Sequence, residues 1–372
     1  MKYSWQVKEW PDFTYNLVEV EEELYQFSEK TGLVSGILKA LPTDTQMEAI
    51  INVMVAEAIK TSEIEGEYFS RKDVMSSIKN GLGLVVEHQF LDMKAKGIGD
   101  LLIDLRNTYK QQLTDEQLFS WHRMLLGTEI KVRVGVWRDH PEPMQVVSGA
   151  LGKEKVHYEA PPSERVPGEM ERFINWFNES GPGGKYEIKK APIRSAIAHL
   201  YFESIHPFED GNGRIGRAIA EKALSQGIGR PVLLSLSKTI ESKKSKYYAA
   251  LEVAQRSIEI TPWINYFVDV ILNAQQDTED QIDFVLRKTI FFDRFKDKLS
   301  ERQLKVVKRM LEEGPAGFVG GINASKYGTL TKVSKATATR DLQNLLSLDA
   351  LIPLSEAGGR STRYQLNLVQ PF

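Results

Sequence analysis

Apolar residues recur at helical spacing through most of this chain. Met47, Ile50, Ile51, Met54, Val55, Ala58 and Ile59 fall on one stripe of a helix over 46–60. Thr114, with Gln117 three residues on, has the form of a capping box and opens a helix through Leu118, Trp121, Leu125 and Leu126. Met170 to Phe177 carries another stripe. Pro192 starts a further helix, with Ile193, Ile197, Leu200, Tyr201 and Ile205 on its buried side, and Thr261-Pro262 opens a long one through Trp263, Ile264, Phe267 and Ile271. One stretch departs from this pattern. Gln145-Val146-Val147 and Lys155-Val156-His157-Tyr158 flank the turn Ser148-Gly149-Ala150-Leu151-Gly152, which predicts a β-hairpin closed by Pro161-Pro162. The fold class is mainly α, with one hairpin among the helices.

A second pattern begins near residue 299. Ser300-Glu301-Arg302-Gln303 is a capping-box sequence ahead of Leu304, Val307 and Leu311. After the turn Gly314-Pro315-Ala316-Gly317 come a short helix over 324–330 and a helix capped by Ser334. Two strands then flank Gly358-Gly359, with Arg360 and Arg363 nearby. Three helices and a basic hairpin resemble a winged helix-turn-helix, with Val333 to Leu342 placed as the recognition helix. DNA is the partner this implies, through 331–342 with Arg360 and Arg363; a protein-binding or dimerising winged helix has the same pattern.

Length and charge fit this division. A chain of 372 residues exceeds one ordinary domain. Residues 299–372 carry ten Lys/Arg against six Asp/Glu, so a tail of +4 is joined to a body of −6. The expected domains are 1–97, 98–275, a helical linker over 276–298, and 299–372. With 42% hydrophobic and 26% charged residues, no run long enough to span a membrane and no signal-peptide pattern at Met1–Trp10, the chain is expected to be cytoplasmic. Cysteine is absent, which excludes disulfides and thiolate metal sites. His88, His122, His140, His157 and His199 show no metal-type spacing; His199 and Trp5, Trp10 and Phe13 are expected to be structural, and Lys243-Lys244-Ser245-Lys246 to be a solvated face.

The chemistry concentrates in His206-Pro207-Phe208-Glu209-Asp210-Gly211-Asn212-Gly213-Arg214-Ile215-Gly216-Arg217. Pro207 pushes His206 out of helical geometry, so the helix from Pro192 ends near Ile205. Gly211, Asn212 and Gly213 are expected to take unusual backbone angles that aim successive N–H groups at one point. A new helix should begin at about Arg214, with Ile215, Ala218, Ile219 and Ala223 buried; its N-terminus is a natural phosphate site. Arg214 and Arg217 share a face and suit phosphate oxygens. Asp210 offers a hard carboxylate for Mg²⁺, and His206 can take a proton from a hydroxyl near neutral pH. A base, a metal ligand, an anion nest and two cationic clamps are the parts of phosphoryl transfer.

This segment resembles the Fic family signature, His-Pro-Phe-x-Asp/Glu-Gly-Asn-Gly-Arg-x-x-Arg, at every defined position. Similarity extends over about 100–275, including Gly135-Val136-Trp137-Arg138 and Tyr158-Glu159-Ala160-Pro161-Pro162, and the first ~100 residues resemble a domain found fused to Fic modules. The resemblance implies a Fic helical core with the hairpin as a target-registering flap (144–158). It implies transfer of AMP from ATP to a Tyr, Thr or Ser hydroxyl of a protein, the chain itself included, with release of pyrophosphate. His206 would be the base and Asp210 the Mg²⁺ ligand. The ATP residues would be Gly211, Asn212, Gly213, Arg214, Ile215, Gly216 and Arg217, with Tyr248 of the pair Tyr247-Tyr248 beside the adenosine. Kinases of the related Doc type carry Lys where this chain has Gly213, so glycine implies nucleotide transfer. Thr61, Glu65 and Gly66 in Thr61-Ser62-Glu63-Ile64-Glu65-Gly66 match the family's inhibitory motif, Ser/Thr-x-x-x-Glu-Gly/Asn, which implies that Glu65 pairs with Arg217 in the place of the γ-phosphate. Self-association as a homodimer, removal of AMP with Glu65 positioning water, and a transcription regulator using the Fic module as a nucleotide sensor are the alternatives.

Overall fold

The computed structural model describes residues 2–85, 92–148, 155–314, 317–318, 320–354 and 362–368. Two compact units are present, one of residues 1–33 with 50–278 and one of 34–49 with 279–372. The expected boundary near residue 97 does not separate two units. Val20, Leu24, Phe27 and Ile64 instead share one core with Ile193, Leu200, Trp263 and Phe267. Trp10 is buried and donates its indole N–H to Glu169 at 2.9 Å, so the N-terminal segment is stitched into the same body.

The described helices of the first unit follow the apolar stripes. They are α1 (Glu21–Ala40) and α2 (Thr43–Ile64), which begin or end in it, α3 (Arg71–Gly81), α4 (Met93–Thr108) and α5 (Asp115–Leu126). The hairpin is β1 (Gln145–Ser148) with β2 (Lys155–Glu159), antiparallel, Gln145 opposite Glu159, with a register shift between Val146 and Val147. Its expected turn, Gly149 to Gly152, lies outside the described residues. Next come α6 (Val166–Glu179), α7 (Ala191–Ile205), α8 (Asn212–Ile228), α9 (Leu236–Ser242), α10 (Lys244–Ala254) and α11 (Thr261–Phe295). Thr114 caps α5 by accepting from the Gln117 N–H at 3.2 Å. The Gln117 amide goes to Thr108 instead of back to the cap, so only half of the expected capping box forms.

Helix α7 is the axis of the unit. One buried side was expected, yet every side chain from Ala191 to Ile205 is buried. A helix enclosed on all sides must satisfy its polar groups internally. Arg194 donates to Phe177 O at 2.6 Å and Ser180 Oγ at 3.1 Å, and Ser195 donates to Ala220 O on α8 at 2.8 Å. His199 bonds the Tyr247 hydroxyl at 2.8 Å, and burial lowers its pKa to about 3; it is structural, as expected.

In the second unit α12 (Glu301–Leu311), α13 (Ala324–Thr331) and α14 (Lys335–Ser347) are followed by the antiparallel strands β3 (Leu351–Pro353) and β4 (Tyr364–Leu366). The Ser300–Gln303 capping box forms in both directions. The end of α11 joins this unit, with Phe291 and Phe295 in a core with Val307, Tyr327, Leu342, Leu345 and Leu351, so the expected linker is a packing element. Lys332, Lys335, Thr339 and Arg340 are exposed, whereas Asp341 is buried, accepting from Tyr327 at 3.0 Å and Arg302 at 3.2 Å. Arg363 is exposed; Arg360, the Gly358-Gly359 pair and the Pro315-Ala316 turn lie outside the described residues.

Candidate active site

The loop between α7 and α8 is shaped by hydrogen bonds and ring contacts behind its cavity. Ahead of Pro207, His206 leaves the helix in the left-handed region, at φ 50 and ψ 61. Phe208 stacks on His122 with ring centroids 4.1 Å apart. His122 accepts the Gly135 N–H on Nδ1 at 2.8 Å, which leaves Nε2 to donate to Asp210 O at 3.1 Å. The Asn212 amide closes the turn, accepting from Phe208 N at 2.9 Å and donating to Phe208 O at 2.8 Å. Of the three residues expected in unusual conformations only Gly211 has a positive φ, +80. Asn212 and Gly213 are already helical, because this amide bracket lets α8 start two residues earlier than expected. The first ladder bond runs from Ile215 N to Gly211 O, so the amides of Asn212, Gly213 and Arg214 precede it.

Around this loop the charges are arranged in pairs. His206 Nδ1 lies 3.7 Å from Glu203 Oε2. Burial, with the nearby Arg138 charge, lowers the His206 pKa to about 4, while burial raises Glu203 to about 8. The imidazole is therefore neutral, the form a base requires. Asp210 is 56% exposed at its side chain and points to the cavity, with one oxygen on its own neighbour's N–H, from Gly211 at 2.6 Å.

The end of α2 closes over the two arginines. Arg217, 1% exposed at its side chain, donates to Glu65 Oε1 at 2.8 Å, to Thr61 Oγ1 at 2.8 Å and to Thr61 O at 2.9 Å. Gly66, at φ +83, turns the chain away immediately afterwards. Burial opposes ionisation of Glu65, but Arg217, Arg214 and Lys244 outweigh it and hold the carboxyl below its ordinary range. Gly213 leaves room for this contact: a Cβ there would stand 2.3 Å from Glu65 Oε1, so the carboxylate would have to shift. Arg214 is paired with Glu67, which Lys94 also meets at 3.2 Å.

These groups share one cavity of about 690 Å³, lined by Glu65, His206, Asp210, Gly211, Asn212, Gly213 and Arg217 at one end, and by Lys244, Tyr247 and Tyr248 along the side. The flap contributes Val146, Val147, His157 and Tyr158. Three expected nucleotide residues are placed elsewhere. Arg214 is not on the cavity wall, being turned to Glu67; Ile215 is fully buried; and Gly216 faces Glu203, whose Oε1 a Cβ would meet at 2.3 Å. A Mg²⁺ ion fits the donor set. No cluster of three metal-binding side chains exists among the described residues, but Mg²⁺ on phosphates needs only one or two carboxylates, and Asp210 would supply one beside the start of α8.

Comparison with known proteins points to one family. Residues 112–224 match the model of the Fic/DOC family, and residues 3–84 match a domain of unknown function (DUF4172). Residues 112–224 are a Fic/DOC domain. Proteins named protein adenylyltransferase Fic are 26% identical over 210 residues in Drosophila ananassae and 25% identical over 241 residues in Drosophila willistoni. Those alignments cover 53% and 61% of this chain but only 36% and 42% of the relatives, so the chain spans well under half of each. A Fic family protein from Desulfovibrio desulfuricans superposes with a TM-score of 0.53 at 18% identity, covering 96% of this chain and 98% of its own. A Fic domain containing signaling protein from Bacteroides thetaiotaomicron gives 0.51 at 16%, covering 69% and 95%. Both bear on the fold.

The Fic/DOC domain also uses residues to which sequence reasoning gave no role. Lys244, expected on a solvated face, donates to Ile64 O at the end of α2 and lines the cavity. Glu67 and His122 were in view as letters only; what was missing was the spatial neighbour, Arg214 for one and Phe208 for the other. Arg138 is buried with four contacts to the α7 end and the flap base, and its place in the family-like segment Gly135-Val136-Trp137-Arg138 was the available signal.

Proposed function

We propose that this chain is an autoinhibited protein AMP-transferase. The observation that carries the reading is the convergence of a neutral His206, the orphan amides of Asn212 and Gly213 and the Glu65–Arg217 pair on one cavity. A protein hydroxyl would give its proton to His206 as its oxygen attacks the α-phosphorus of ATP. The bond from that phosphorus to the bridging oxygen breaks, and pyrophosphate leaves with the bonding pair. The amides at the start of α8 would stabilise charge on the phosphates. Asp210 would hold Mg²⁺, which supplies neutralisation of phosphate charge.

In the latched chain Glu65 occupies the guanidinium fork a terminal phosphate needs. The brake therefore acts by competition, and Gly213 leaves the space in which the carboxylate sits. A target segment would dock on the flap: β1 pairs only with β2 among the described strands, so its outer edge is open to an extended peptide. ATP-dependent labelling of protein by the Glu65→Gly variant, abolished by His206→Ala, is the test; no label on any protein would refute the activity.

A second proposal concerns the C-terminal unit. Lys332 at the end of α13, Lys335 and Arg340 on α14, and Arg363 beside β4 are exposed, and these basic residues suit duplex DNA.

A further inference from the structure

Five successive carbonyls close α7, and the way they are satisfied singles out one residue. A helix leaves its last carbonyls without intrahelical donors. Here Glu203 O accepts from Gln255 at 3.2 Å and Ser204 O from the Tyr158 hydroxyl at 2.5 Å. The next three all fall to Arg138. Its Nη2 donates to Ile205 O at 3.3 Å, its Nε to His206 O at 2.8 Å, and its backbone N–H to Pro207 O at 2.9 Å. The same guanidinium reaches the foot of the flap, donating from Nη2 to Pro161 O at 2.6 Å and from Nη1 to Ser163 Oγ at 2.9 Å.

Arg138 is 2% exposed, and no carboxylate pairs with it among the described residues. A buried guanidinium without an anion is costly unless its donors are filled by good acceptors. The carbonyl end of α7 is such an acceptor, because the helix dipole concentrates negative charge there. A planar fork is needed to serve two directions at once: the α7 end on one side and the chain leaving β2 on the other. His206 sits in the left-handed region, a conformation that persists in a non-glycine residue only when its surroundings hold it.

We propose that Arg138 is the positioning residue of this site, holding His206 in its left-handed conformation and tying the base to the foot of the flap on which the target docks. The role rests on the AMP-transfer reading for its consequence, but the geometry it asserts can be read without turnover. Arg138 is not on the cavity wall; it acts through His206. Its loss therefore lowers turnover and leaves ATP binding as it was. The titratable and charged groups facing His206 are Glu203 on α7, Asp210 in the loop, Glu65 at the end of α2 and Arg138, with Arg217 of α8 beyond Glu203. Of these, Arg138 opposes protonation of the imidazole, so removing its charge raises the His206 pKa.

Two variants in a Glu65→Gly background separate geometry from charge. Arg138→Lys keeps the charge and loses the fork: kcat for AMP transfer falls by roughly 100-fold, ATP KM is unchanged, and the His206 titration followed by ¹⁵N NMR stays low. Arg138→Met loses both: kcat falls at least as far, and the titration moves upward. Full turnover in Arg138→Lys overturns the proposal, as does an unmoved titration in folded Arg138→Met. If Arg138→Met does not fold, the Arg138→Lys turnover decides. If the Glu65→Gly parent itself transfers no AMP, the functional reading fails on its own, and the Arg138→Met titration still decides whether Arg138 governs His206.

Discussion

Replacing Glu65 by glycine should lower stability without nucleotide and enlarge the stabilisation that nucleotide gives. Glu65 lies one residue beyond the end of α2, so the substitution leaves the helix intact. What disappears is one charge-assisted bond to Arg217, whose remaining bonds go to Thr61. Removing one member of a fully buried ion pair costs about 3–5 kcal/mol, but Glu65 is 28% exposed at its side chain and the cavity lets water reach Arg217. The lower range for a hydrogen bond to a charged group, about 1.5–3 kcal/mol, is the better measure. For a body of this size that lowers the melting temperature of the first unit by roughly 2–4 °C per kcal/mol. With Mg-ATP the deficit closes. In the parent chain the nucleotide must expel Glu65, whereas in the variant it meets a free guanidinium, so the same 1.5–3 kcal/mol appears as about 10- to 150-fold tighter binding. Calorimetric melts of both proteins over a series of ATP concentrations read both effects. A variant as stable as the parent without ATP, or an identical ATP response, would refute the competition between carboxylate and phosphate.

Three further outcomes follow from the same geometry. Because His206 must be neutral to accept a proton and its pKa is lowered to about 4, activity of the Glu65→Gly variant should fall only on the acid side of an ordinary histidine's value; Glu65 itself favours the protonated form, so its removal lowers the midpoint further, and a midpoint at or above about 6.5 in the kcat–pH profile contradicts the placement of His206. Gly97→Ala should destabilise the first unit by roughly 1–3 kcal/mol although alanine is the better helix former, because its Cβ would meet Met124 O at 1.9 Å and a backbone carbonyl cannot step aside; a denaturant midpoint equal to or above the parent's refutes that close approach of α4 and α5. If the basic face of α14 binds duplex DNA, affinity should decline steeply with salt and weaken further in Arg340→Ala, measured by fluorescence anisotropy; salt-insensitive binding, or none, removes DNA as the partner.

Much of the site was legible because its residues are adjacent in sequence. From His206 to Arg217 the proline, the glycines and the charged residues follow one another, and each has a local conformational or chemical meaning. The Glu65–Arg217 pair was legible only by resemblance, since the two residues are 152 positions apart. What could not be read was set by tertiary contacts. Asn212 looked like a member of the anion nest, but its amide brackets Phe208 and advances the start of α8. Arg214 looked equivalent to Arg217, but Glu67 turns it away from the cavity. The stripe of α7 implied one buried face; neighbours on every side made it wholly buried, so its polar residues became internal struts. The first ~100 residues resemble a separate domain, whereas Val20, Leu24 and Phe27 pack in the same core as Trp263.

The central claim is that the His206–Arg217 loop transfers AMP and that Glu65 restrains it. Incubating the parent chain, Glu65→Gly, and Glu65→Gly with His206→Ala with Mg²⁺ and α-labelled ATP, alone and with cell lysate, tests both halves at once. The account predicts little label from the parent, strong protein-bound label from Glu65→Gly, and none from the double variant. Equal label from the parent and Glu65→Gly would contradict the restraint, and label that survives His206→Ala would contradict the role of the base.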